Sequence, residues 1–230
     1  MASPAERILP LQHFGALTTA LLAAAVLFAS MLASMAIALA NLPYFELVNR
    51  FVGATETVAR GMLFSSWLLL IGGLVVVWRP AFFGLRPGDL RREWRIVAVV
   101  TVMAAFGTAV LLTVTGTTPY SDASLFIETI VVLLTEELVF RAVLLTLLLV
   151  VLARIVAPTV VVPLAVVANG IGFGLAHLTN ALDLSLTFVL GQAAFATVLG
   201  MACAALMVRA RSVYAAMLLH GAVNAVVVLI

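Results

Sequence analysis

The sequence predicts an all-α protein, a polytopic bundle of about seven transmembrane helices in one membrane domain, residues 1–230. Composition is the first observation: 65% of the 230 residues are hydrophobic, 10% are charged, and the mean hydropathy is +1.26. A soluble domain needs a polar outer shell that such a composition cannot supply. The second is recurrence. Apolar stretches of about 18 residues or more follow one another along the chain, so lipid is their natural solvent. The third is what separates them, namely short segments carrying arginine, proline and glycine.

In order, the spans read as residues 14–40, 61–78, 96–114, 125–153, 160–178, 184–208 and 213–230. The first has an apolar run too long for the core of a signal peptide and only Arg7 beside Glu6 before it, so it reads as a retained helix. The fourth exceeds one bilayer crossing, so it is expected to tilt or to begin at the interface. All twelve basic residues are arginine. With the N-terminus in the cytoplasm, the inner segments hold Arg7, Arg79, Arg86, Arg91, Arg92, Arg95, Arg154, Arg209 and Arg211, whereas the outer ones hold only Arg50 and Arg60. That bias favours the N-in arrangement. It makes the segment 79–95, with Pro80 and Pro87-Gly88 as breakers, the main cytoplasmic loop. The net charge of +2 is too small to suggest nucleic acid, and the single Cys203 excludes an intrachain disulfide framework.

Against this apolar background a few residues stand out. The fourth span carries Glu136, Glu137 and Arg141 in its middle, where each charge costs about 2.5–3.5 kcal/mol to insert. Such groups must face inward and find partners. Glu137 and Arg141 are spaced i and i+4 with the glutamate first, the favoured order for an ion pair. Glu136 is turned by about 100° from Glu137 on a helix and stays available for chemistry. His177 lies in the fifth span, and His220 with Asn224, again i and i+4, in the seventh. Gly170, Gly172, Gly174 and Ala176 allow close approach of a neighbouring helix. His13, at the edge of the first span, is expected among the headgroups.

Together these residues have the parts for amide hydrolysis. A carboxylate beside an imidazole in a shielded site can hold and deprotonate a water, and a second imidazole with an amide can donate hydrogen bonds to an oxyanion. Other membrane hydrolases fit less well: there is no His-Glu-x-x-His pair and no Gly-x-Ser-x-Gly elbow. Nor is there a pair of intramembrane aspartates, since Asp89, Asp122 and Asp183 fall in loops or at boundaries. A zinc site from Glu136, His177 and His220 is the metal alternative, without a local ligand spacing to support it.

Glu136-Glu137-x-x-x-Arg141 with Phe140, then Phe173-x-x-x-His177, then His220-x-x-x-Asn224 resembles the three ordered motifs of the CAAX protease and bacteriocin-processing family of intramembrane glutamic endopeptidases. The resemblance covers residues 125–230. It implies a helical protease with a water-accessible cavity, in which Glu136 activates water with His177 while His220 and Asn224 stabilise the oxyanion. Glu137 and Arg141 would support the site structurally, and no cofactor or metal would be needed. The implied partners are a peptide or protein substrate in or near the membrane and the lipid bilayer itself, in an integral membrane protein of a bacterial plasma membrane. Two rivals share the sequence: a non-catalytic membrane partner or immunity protein of the same fold, and a transporter or proton relay. The lack of an internal repeat disfavours the last.

Overall fold

The computed structural model describes residues 14–39, 68–70, 72–88, 90–115, 128–182 and 184–229. They form seven helices and, among the described residues, no strand: α1 (Phe14–Leu39), α2 (Leu68–Trp78), α3 (Leu90–Thr115), α4 (residues 128–155), α5 (Pro158–Ala176), α6 (Leu186–Ala210) and α7 (Val213–Leu229). α3 to α6 are each long and apolar enough to cross a membrane. The helical class and the order of the spans agree with the sequence. His13, Arg7, Arg50, Arg60 and the start of the second span lie outside the described residues.

One expectation is corrected. The segment 79–95 is not a loop throughout, because α3 begins at Leu90. Gly88 has a left-handed φ of 59° that ends the preceding turn. Beyond it, Glu93 is buried in the first turn of α3 and accepts hydrogen bonds from Arg209 Nε and Nη2 at 3.0 and 3.4 Å. That buried pairing keeps Arg91, Arg92 and Arg95 on a helix.

The short remaining turn, 79–88, clamps the end of the bundle. Val213 N donates to the Gly84 carbonyl at 2.9 Å, and Arg86 Nε donates to the Arg211 carbonyl at 3.0 Å. The α6–α7 corner turns on Arg211, itself left-handed with a φ of 55°. α5 starts on Pro158, which suits a first helical position because its missing N–H would have no partner there. Ser185 caps α6 by accepting from Phe188 N at 3.4 Å.

Interhelical contacts set the relative directions of α3 to α7. Gly170 meets Gly200, and a Cβ added at Gly174 would clash with Thr197 and the Ala193 carbonyl, so α5 and α6 run antiparallel with their backbones nearly touching. Glu93 lies beside Arg209 and Gly107 beside Phe195, which makes α3 antiparallel to α6. Leu133 packs near Gly221, and Glu137 near His220, so α4 and α7 are antiparallel too. Lipid is as apolar as leucine, so close approach through small residues and a few polar contacts must hold the bundle together.

Candidate active site

The site is built on the first half of α4, where the helix changes its winding. Residues 137–145 form a π-helical stretch, a rare local form that recurs at functional sites. Its wider turn is supported from outside the helix. Asn169 of α5, fully buried, donates from Nδ2 to the Phe140 carbonyl at 2.7 Å. Irregular backbone at membrane depth needs such a donor, because no lipid group can supply one.

Glu137 and Arg141 lie on this stretch with their side chains fully inaccessible, Oε1 and Nη1 3.2 Å apart. The two meet as charges, off the line of an aligned N–H···O bond. The guanidinium lies over the Phe173 ring, 4.1 Å from its centroid, a cation–π contact in a desolvated setting. Glu137 has a second neighbour: His220 of α7 donates from Nδ1 to Glu137 Oε1 at 2.8 Å. The other ring nitrogen of His220, Nε2, lies 3.7 Å from Glu136 Oε2. One imidazole thus stands between two adjacent carboxylates. Glu137 is sealed from solvent, whereas the Glu136 side chain keeps 23% of its surface accessible.

His177 occupies a different position. It is the first residue of the 3-10 turn His177–Leu182 that follows α5, and its Nδ1–H donates to the Phe173 carbonyl at 2.9 Å. With that nitrogen engaged, Nε2 of the neutral ring carries the free lone pair. Among the described residues no hydrogen bond or ion pair joins His177 to Glu136; the carboxylate's imidazole neighbour is His220. The two histidines share Phe173 instead, packing edge-to-face against it at centroid separations of 4.8 Å for His177 and 5.7 Å for His220. Phe140 completes the aromatic group at 5.1 Å. Asn224 stands one helical turn beyond His220 on α7, half-buried.

All six residues singled out in the sequence therefore lie on α4, on α7 or at the end of α5. Contacts join Glu136, Glu137, Arg141 and His220 directly, and Phe173 links them to His177. The sequence reading passed over Asn169 and Glu93. Asn169 is a polar residue inside an apolar segment, and the cost of burying it was the available cue; Glu93 stands among arginines, where nothing local marks it as buried. Phe173 entered only as a motif letter; no spacing rule discloses that one ring seats two histidines and an arginine. Among the described residues no three His, Cys, Asp or Glu side chains group closely enough to hold a metal ion.

Carboxylates and imidazoles converging inside a helical bundle are the side chains that hydrolases working within the membrane can use. Within that class, the family described as Type II CAAX prenyl endopeptidase Rce1-like matches residues 120–226. Over those residues the chain is similar to that family, the CAAX protease and bacteriocin-processing group. No curated protein and no solved structure matches the chain.

Proposed function

We propose that the protein is an intramembrane endopeptidase that hydrolyses a peptide bond with an activated water. Glu136 is the general base, since it is the one carboxylate of the pair that solvent reaches. His177, with its Nε2 lone pair free, assists it in holding the water. His220 and Asn224 stabilise the oxyanion that forms when the water attacks the carbonyl. Glu137 keeps His220 in place: a carboxylate accepting from Nδ1 fixes the ring so that Nε2 faces the Glu136 side. Arg141 balances the charge of Glu137 and is itself held by the Phe173 face. The observation that carries this reading is His220 set between a buried and a partly accessible glutamate.

Substituting Glu136→Gln is the test. It removes the base while preserving shape, and should abolish cleavage of a peptide adjoining a transmembrane segment, with thermal unfolding unchanged. Cleavage at the parent rate would refute the assignment. Retained activity after exhaustive chelation is expected of a water activated by side chains; loss of activity that zinc restores would favour the metal alternative.

A further inference from the structure

The ends of the bundle differ. Antiparallel packing brings the start of α3, the end of α4, the start of α5, the end of α6 and the start of α7 to one end, where the 79–88 turn covers them. Arg79, Arg86, Arg91, Arg92, Arg95, Arg154, Arg209 and Arg211 all fall at this end, and among the described residues Arg141 is the one arginine elsewhere. Trp78 and Trp94 are exposed beside Arg79 and Arg95, with cation–π contacts of 5.4 and 5.6 Å, the pairing expected at a membrane–water boundary. By the positive-inside rule, which reads the arginines flanking short loops, this end is cytoplasmic.

The candidate site lies toward the other end. At about 1.5 Å per residue, Glu136 is about 12 Å from Glu128 at the start of α4 but about 27 Å from Arg154. His177 opens the connecting turn at that same far end, where Leu178 and Ala181 are exposed. Toward the arginine end the small cavity lined by Ala81, Arg86, Thr146 and Arg211 has neither glutamate nor histidine in its lining, and the interior around it is apolar. Leu145, Val150, Cys203, Leu206, Ala216 and Leu219 are each no more than 2% exposed. Glu136, with 23% of its side chain accessible, is therefore nearer to the other end.

We infer that the site opens to the extracytoplasmic face, so its substrate is a peptide segment on the outer side of the membrane and not a cytosolic tail. The substrate half of this inference rests on the protease reading; the facing of the site does not. The test uses the full chain in the inner membrane of an expressing bacterium, with Ala181→Cys at the site end and Ala81→Cys at the arginine end as separate variants. The parent is the control, since its Cys203 is fully buried. A membrane-impermeant maleimide should label Ala181→Cys in intact cells and Ala81→Cys only after permeabilisation. The reverse pattern, or equal labelling of both in intact cells, would overturn the inference. Right-side-out and inverted vesicles given an impermeant quenched peptide separate the two readings. Cleavage confined to inverted vesicles refutes the facing. Correct labelling with no cleavage in either orientation refutes the protease reading alone.

Discussion

Replacing Glu137 by leucine should cost more stability than any other single change at the site, and the structure says why. Glu137 and Arg141 are fully inaccessible and 3.2 Å apart. Leucine fills the space but leaves the guanidinium in an apolar interior, beside the Phe173 and Phe140 rings and Cys203. Stranding one member of a buried pair costs about 3–5 kcal/mol, whereas replacing both by apolar side chains is often neutral. At about 2–4 °C per kcal/mol for a chain of this size, the single variant should melt roughly 6–20 °C lower. The double variant Glu137→Leu/Arg141→Met should recover most of that loss. The assay is thermal unfolding of the purified protein in detergent, followed by the reaction of Cys203, fully buried when folded, with a thiol dye. Activity should not follow stability: neither variant offers His220 Nδ1 its carboxylate, so the stable double variant should remain impaired in cleavage. An unchanged midpoint for the single variant, or a double variant as unstable as the single one, would refute the reasoning.

Other changes probe the frame around the site. Asn169→Ala removes the donor to the Phe140 carbonyl and should cost about 1–3 kcal/mol in the same melting assay; no loss would mean that the π-wound stretch does not depend on it. Gly174→Val places carbon against Thr197 and the Ala193 carbonyl, and overpacking of about 1–3 kcal/mol or more should appear as a lower midpoint. At the arginine end the pair is asymmetric, with the Arg209 side chain 55% exposed and the Glu93 side chain 2%. Arg209→Ala, which strands a buried carboxylate, should therefore destabilise more than Glu93→Gln, which leaves a hydrated guanidinium; the opposite order in paired melts would contradict that account.

Much of the fold was legible because lipid imposes a single long-wavelength rule. A chain must be apolar for the length of each crossing, and breaks in that rule mark the connections. Errors arose where a tertiary contact overrode the local signal. Arg91, Arg92 and Arg95 look like loop because nothing near them in sequence shows that Arg209, far along the chain, neutralises Glu93 and lets α3 start early. Glu137 with Arg141 was legible from spacing alone, since both partners sit on one helix. The setting of His220 was not, because its two carboxylate neighbours depend on how α7 lies against α4, and no period in either segment encodes that crossing.

The contact between α4 and α7 also accounts for why two glutamates stand side by side. A single buried carboxylate would be held either by the arginine or by the histidine, and its charge would serve one of them. With Glu137 facing both Arg141 and His220 Nδ1, the structural charge is satisfied inside the bundle. Glu136, on the same turn but rotated toward Nε2 and solvent, is left with no buried cation of its own. How Glu136 meets Nε2 is then set by the orientation of His220, which Glu137 fixes from the opposite side of the ring. Loss of Glu137 should accordingly lower the rate of cleavage even where stability is restored by a second substitution, whereas the rate lost in Asn169→Ala, which only loosens the helix, should return with stability.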